Sequence, residues 1–379
     1  MYFKIQYIMT TFQHIFASSI KPELKLIAEK VQNNIEISIE DGILLYKEVE
    51  LSFLAVLANF IKEQKHGNNV YYNKNFHIEP TNICIHGCKF CSYSRKEGED
   101  GAWEHTIEDI VKIVESYKDK SVTECHIVGG VHTNKDIHYY CKMLREIKKV
   151  APELHLKAFS AVEIDHMITK SNLAIADGLK LLKNAGLDSI PGGGAEIFDE
   201  EIRKKICPNK TKSQKWLEIH ETCHKLGLKT NATMLYGHIE KYEHRINHLN
   251  RLRELQHKTN GFMSFIPLKF KRYNNELSSV TETSTLEDLR NYCVSRIFLT
   301  NFQHIKAYWP MIGRDVAQIS LDFGVDDLDG TVDDTTKIYT MAGVKENPAM
   351  NSDEIISLIK RVKKNPVERN STYSRIERD

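Results

Sequence analysis

Residues 76–94 read Phe76-His77-Ile78-Glu79-Pro80-Thr81-Asn82-Ile83-Cys84-Ile85-His86-Gly87-Cys88-Lys89-Phe90-Cys91-Ser92-Tyr93-Ser94. The first five form a short strand pattern ended by a proline. They run directly into a loop that carries three cysteines at C-x3-C-x2-C spacing. A strand that delivers such side chains to a loop at its C-terminal end is how parallel α/β sheets present a site.

Working outward, strand-like runs recur at Val122–Val128, Leu154–Ser160, Asp188–Pro191, Lys229–Tyr236, Phe262–Phe270, His304–Trp309 and Gln318–Phe323. Most are spaced by roughly 30 to 45 residues, the length of one βα unit. Helical periodicity fills the gaps, as with Ile107, Ile110, Val111 and Val114, or Trp216, Ile219, Cys223 and Leu226. Gly186 and Gly227 stand where C-caps belong. This alternation predicts an α/β fold, a (β/α)8 TIM-type barrel spanning 71–345, with an open doubly wound sheet as the alternative. Residues 1–70 read as a helical extension (Leu24–Val31, Ile43–Tyr46, Leu51–Ile61), expected to cap the barrel bottom. The tail, 346–379, reads as one more amphipathic helix, Ser352–Lys363.

The composition excludes several classes. With 41% apolar and 27% charged residues in 379, the chain is neither disordered nor a small disulfide scaffold. Lys plus Arg is 52 against 51 for Asp plus Glu, a net charge of +1 that gives no case for a nucleic-acid partner. No run approaches the roughly 18 apolar residues of a spanning helix. Gln6, Gln13 and His14 interrupt the N-terminal stretch, which does not read as a signal peptide, and Met9 is an alternative start. The expected compartment is cytoplasmic, with reduced thiols.

Of eight cysteines, Cys84, Cys88 and Cys91 fall within eight residues. In a reducing compartment such a cluster reads as metal-binding or catalytic. A Cys3His zinc site using His86 is one reading, coincidental core thiols another. The favoured reading is a 4Fe–4S cluster held by three thiolates, with an open position on the fourth iron.

The spacing, with Phe90 before the last cysteine, resembles the radical S-adenosylmethionine superfamily. There the amino and carboxylate groups of S-adenosylmethionine chelate the open iron, and one electron releases methionine and a 5′-deoxyadenosyl radical. Within it, Pro191-Gly-Gly-Gly-Ala-Glu-Ile-Phe198 and Thr230-Asn-Ala-Thr-Met-Leu-Tyr-Gly-His-Ile-Glu240 resemble the aminodeoxyfutalosine synthase family of the futalosine route to menaquinone. The likeness runs from about residue 70 to about 345. Lys269-Phe270-Lys271-Arg272 departs from it, since many members carry an Ala and then His-Pro there. Asn231 and Leu268-Lys269-Phe270 favour the synthase over the related dehypoxanthine futalosine cyclase. A non-catalytic zinc barrel is a further alternative.

The resemblance implies a transferase. The adenosyl radical adds to 3-[(1-carboxyvinyl)oxy]benzoate, giving aminodeoxyfutalosine with loss of carbon dioxide or bicarbonate, so S-adenosylmethionine is a co-substrate. It also implies flavodoxin or ferredoxin as electron donor. Gly129 and Gly130 would meet the methionine amino group. Ser160, Glu163, Glu196 and Gly237 would contact the ribose, methionine or adenine, and Arg203 a carboxylate. His238 and His132 are the candidate proton-handling residues. Lys269 and Arg314 are candidate carboxylate clamps. Tyr308, with Trp309 and Met311, could wall an aromatic ring. The carboxylates Asp326, Asp327 and Asp329 read as turn-formers that bond ligand hydroxyls. The sequence does not set the oligomeric state.

Overall fold

Polar and apolar residues alternate along short parallel strands, and that alternation sets which face curls inward. The computed structural model describes Gln13 and residues 20–334, 338–344 and 349–378; the choice between Met1 and Met9 as the start lies outside them. Its strands are β1 (Asn69–Asn73), β2 (Asn75–Ile78), β3 (Glu124–Ile127), β4 (His155–Ala158), β5 (Ser189–Ile190), β6 (Lys229–Tyr236), β7 (Phe262–Lys269), β8 (His304–Ile305), β9 (Asp327–Gly330), β10 (Asp333–Asp334) and β11 (Asn365–Glu368).

One sheet runs β10-β2-β3-β4-β5-β6-β7-β8, and every pair in it is parallel. Its seam is narrow. A bridge joins Lys306 to Asp327. The Asp326 N–H donates to Ile305 O at 3.2 Å, and the Ala307 N–H to Asp327 O at 2.8 Å. From there the chain continues into β10, beside β2. The expected TIM-type barrel is therefore present as a partial one. Eight strands form continuous ladders, the two-residue β10 among them, and the seam is held by a bridge. A second, three-stranded parallel sheet, β11-β1-β9, lies against that seam.

Two expected strands differ. Gln318–Phe323 is the end of the helix Arg314–Ser320 and a turn. The helix's buried residues Ala317, Ser320 and Leu321 are spaced three and one apart, a helical stripe where the sequence pattern predicts a strand. The strand that fills this place, β9, reads Asp-Leu-Asp-Gly, and its charges hide it. Of His304–Trp309, only His304–Ile305 is strand, because Pro310 starts the short helix Trp309–Ile312.

The N-terminal helices are Pro22–Gln32, Ile39–Glu48 and Leu51–His66. The last two pack on the outer helices Tyr242–Thr259 and Thr285–Phe298, and the end of the third reaches the barrel base, where His66 stacks on His304 at 4.7 Å. A Cβ at Gly42 would stand 2.7 Å from Ile246 Cδ1, so glycine permits the contact. The chain's last residues share in covering the base. Tyr373 stacks on His304 at 3.6 Å, at the entry to β8. The tail helix is Ser352–Arg361, and the sequence reading missed β11, which follows it.

Candidate active site

The loop after β2 is pinned from several sides. The Cys84 N–H donates to Arg95 O at 2.9 Å, the Ile85 N–H to Val131 O at 3.1 Å, and the Lys89 N–H to Ile206 O at 2.8 Å. Asn82 ties the far end of the loop, donating to Gly101 O and accepting from the Trp103 N–H. The segment after β3 crosses this loop at close range, with Gly130 N–H on Thr81 O at 2.7 Å. A Cβ at Gly130 would lie 2.2 Å from Ile83 O, so this crossing tolerates only glycine.

Cys84, Cys88 and Cys91 are half-buried, all eight cysteines are free, and these three share the wall of one cavity of about 380 Å³. Burial pushes the Cys88 thiol up to about 12, against the opposing charge of Lys210, and also raises Cys91. Such thiols become ligands when a metal displaces the proton. Among the described residues, the three sulfurs and His86 do not bring their ligand atoms within 4.8 Å of one another. That spread is wider than the roughly 3.8 Å between sulfurs in a tetrahedral zinc shell. Three thiols on one open cavity fit an iron–sulfur cluster with an exchangeable position.

Below the mouth, the barrel interior is polar. Register pairs His77 with His126 and His126 with Lys157, so these side chains share one face, and all three line the cavity. One pleat lower, Asn75, Glu124 and His155 pair likewise. Lys157 reaches down to Glu124 at 2.6 Å, and Lys306 meets Asp329 at 2.7 Å. Lys210 lines the cavity beside the cysteines and pairs with Glu196 at 2.6 Å. None of His77, His126, Lys157, Lys210 and Lys306 is among the site residues expected from sequence. Ile266, Leu268, Phe270, Tyr308 and Met311 make an apolar wall, while Trp309 turns away and donates to Gly330 O.

The expected site residues divide. Gly129, Gly130, Ser160, Glu163, Glu196, Lys269 and Tyr308 join the three cysteines on the cavity wall. Lys269 is nevertheless committed to Asp288 at 2.7 Å and Thr283 O at 2.8 Å. Arg203, His132, His238, Gly237 and Arg314 are not on that wall. Arg203 donates to the carbonyls of Gly194, Ala195, Ile197 and Thr211, and so staples the glycine loop. His132 faces Glu104 at 3.3 Å. His238 is buried against Glu240, which also accepts the Gly237 and His238 N–H groups and ties the turn to Arg245. Arg314 is partly exposed and pairs with Glu354. Asp326, Asp327 and Asp329 each hold a cation, respectively Arg296, Arg369 and Lys306. The cations that line the cavity are Lys157 and Lys269 from the strands, Lys306 just past β8, and Lys210 and Lys271 from loops.

Ser160 and Glu163 form a capping box at the start of the helix Ala161–Lys170, and Glu163 also accepts the Gly129 N–H at 3.2 Å. Burial raises the Glu163 carboxyl from 4.5 to about 7, outweighing these bonds. The folded protein then holds an extra proton between those values. Its stability should fall as pH rises through that window by about 3 kcal/mol and stay level above it. Glu163→Gln should remove this slope, read as urea midpoints from pH 5 to 8. An unchanged slope would assign it to other groups.

A parallel barrel with three thiols beside a deep cavity at its mouth defines the class: a radical S-adenosylmethionine enzyme. The model of the radical SAM superfamily matches residues 78–252, and that of the CofH/MqnC C-terminal region matches 259–378. The chain is 44% identical to the aminodeoxyfutalosine synthase of Thermus thermophilus, over 94% of this chain and 96% of that one. It is 40% identical to the Streptomyces coelicolor synthase, over 94% of each. The cyclic dehypoxanthine futalosine synthase of Streptomyces coelicolor is 32% identical over 94% of this chain and 90% of its own length. The structure of the hydrogenase maturase HydG from Carboxydothermus hydrogenoformans shares the fold, with a TM-score of 0.73, 16% identity and coverage of 97% and 86%. The chain belongs to the radical SAM superfamily and, within it, to the aminodeoxyfutalosine synthase family. Among the described residues, no helix is long and apolar enough to cross a membrane.

Proposed function

We propose that this enzyme joins the adenosyl group of S-adenosylmethionine to 3-[(1-carboxyvinyl)oxy]benzoate, releasing methionine and bicarbonate. One observation carries the reading: three half-buried thiols and a cavity walled by apolar side chains and floored by cations share one barrel mouth. Cys84, Cys88 and Cys91 would hold the 4Fe–4S cluster. When bound, the cluster and S-adenosylmethionine supply a 5′-deoxyadenosyl radical.

The chain's own residues do the rest. Glu163 fixes the Gly129 backbone, and Arg203 fixes the Gly194–Ile197 backbone, so both strand-end loops are rigid before a ligand arrives. Glu196 and Lys210 offer one anionic and one cationic partner to a zwitterionic co-substrate beside the cysteines. Leu268, Phe270, Tyr308 and Met311 receive an aromatic ring and keep water from a reactive carbon. A flavodoxin or ferredoxin would supply the electron.

The test is an anaerobic assay of reconstituted, dithionite-reduced protein with both substrates, followed by mass spectrometry. The expected product carries the adenosine skeleton covalently joined to the benzoate. Free 5′-deoxyadenosine alone would overturn radical addition in favour of hydrogen abstraction, the cyclase chemistry.

A further inference from the structure

Barrel interiors are ordinarily filled with layers of branched apolar side chains. This one buries three lysines on the cavity wall, and Lys269 is already taken by Asp288 and Thr283 O. Lys157 on β4 is 3% exposed and Lys306, just past β8, is 2% exposed. Among the described residues each ammonium has a single hydrogen-bond acceptor, Glu124 for Lys157 and Asp329 for Lys306. An ammonium carries three donors. Two on each lysine therefore have no acceptor among the described residues, and both lysines line the cavity. Buried ion pairs are a poor source of stability, because desolvation offsets the attraction. A floor of this kind is costly unless an anion completes it.

The neighbouring groups sharpen the chemistry. Burial pushes His77 down to about 4 and His126 further below its ordinary value, so both rings are neutral at pH 7. Lys157 and Lys306 are then balanced by Glu124 and Asp329, and the floor holds no excess charge, only excess donors. A carboxylate is acceptor-only, with about four lone-pair sites to meet about four free N–H groups. The wall above, Ile266, Leu268, Tyr308 and Met311, suits a flat apolar body between that carboxylate and the cysteine mouth.

We propose that Lys157 and Lys306 form the receptor for the ring carboxylate of an aromatic acid, which stands upright in the barrel with its reacting end toward the three cysteines. The inference rests on the proposed function for the identity of that acid. Of the substrate's two carboxylates, the one on the ring is farther from the enol-ether carbon that must meet the adenosyl group. It is therefore the one that reaches the floor. Lys157 and Lys306 are binding residues in this account, and they set specificity for an acid over its neutral analogues.

The test measures binding by calorimetry to the reconstituted holoenzyme with S-adenosylmethionine and no reductant. The probes are the carboxyvinyloxybenzoate and its ring methyl ester. Wild type should prefer the acid by about tenfold to a hundredfold, the range for hydrogen bonds to charged groups. Lys306→Met should erase that preference while S-adenosylmethionine affinity is kept, and Lys306→Arg should restore part of it. Should Lys306→Met leave Asp329 buried, unpaired and the protein unfolded, the double variant Lys306→Met with Asp329→Leu removes both charges and should show the same loss. An acid preference that survives in the variants overturns the receptor. So does a wild-type protein that binds neither probe. Product analysis of the wild type judges the function separately: a lysine-dependent acid preference without an adenosyl adduct would keep the receptor and sink the synthase reading.

Discussion

Cys88→Ala protein, reconstituted anaerobically, should be colourless and should form no adenosyl product, while folding as wild type does. Three ligands leave no redundancy, because a cuboidal cluster bound by two thiolates has two exposed irons. The remaining cysteines cannot stand in. Cys125, Cys141, Cys223 and Cys293 are buried at no more than 2% exposure, and none of them lines the cavity. Cys207 is the one further thiol whose charge is felt at Cys88, yet it is buried and absent from the cavity wall. Cys207→Ser should therefore keep the brown colour. Among the described residues the Cys88 main chain gives its carbonyl to the Cys91 N–H, a bond that alanine preserves. Loss of colour with unchanged circular dichroism is the expected pair of readings. Turnover retained by Cys88→Ala would sink the cluster assignment.

The cysteines were legible because their spacing is local: three ligands in eight residues need no tertiary information. The strand order was legible for the same reason, since each βα unit announces itself by period. The cations of the cavity were hidden in plain view. Along the barrel strands the polar positions alternate, as in Asn75, His77 and Glu79, Glu124 and His126, His155 and Lys157, Asn231 and Thr233, and His304 and Lys306. Period-two alternation is usually read as polar side out. In a barrel whose outside is clad in helices the apolar face is the outer one, as Cys125, Ile127, Leu156 and Ala158 are here, so the polar face points in. That inversion was the available signal. Residues after strand ends were overvalued by comparison. Arg314 and His238 stand beside predicted mouths in sequence, but the helix at 314–320 and the turn at Gly237 carry them elsewhere. Strand β9 was illegible for a third reason. Its aspartates are tolerable only with Lys306 and with Arg369, which lies 42 positions from its partner Asp327.

Those seam aspartates carry the largest stability effect expected outside the cavity. Asp326 is fully buried and its two oxygens are both used. One takes Arg296 and the Ile305 N–H, the latter at 2.9 Å, and the other takes His304 at 2.6 Å. Its main chain joins the last strand to its neighbours, with the Asp326 N–H on Ile305 O and the Tyr71 N–H on Asp326 O. His66, His304 and Asp326 bring ligand atoms within 4.8 Å of one another, a spacing a metal ion can use. With Arg296 on the same carboxylate, the node is instead an ion pair that already has its cation. Burial pushes the Asp326 carboxyl up, but His304 and Arg296 outweigh it and hold it well below the usual range. The stabilisation is therefore complete above the ordinary carboxyl value and is lost only as pH falls below it. Asp326→Ala strands a fully buried guanidinium, a loss of about 3 to 5 kcal/mol. It should lower the urea midpoint of the apoprotein at pH 7 accordingly. Arg296→Met combined with Asp326→Leu removes both charges and should recover a substantial part of that loss, because what destabilises is the unpaired charge and not the missing attraction. If the single variant unfolds within about 1 kcal/mol of wild type, the span of an exposed pair, then the seam is held by its backbone bonds alone. A double variant as weak as the single one would instead mean that the guanidinium's bonds to Gly324 O and Gln303 O are what hold the strand in place.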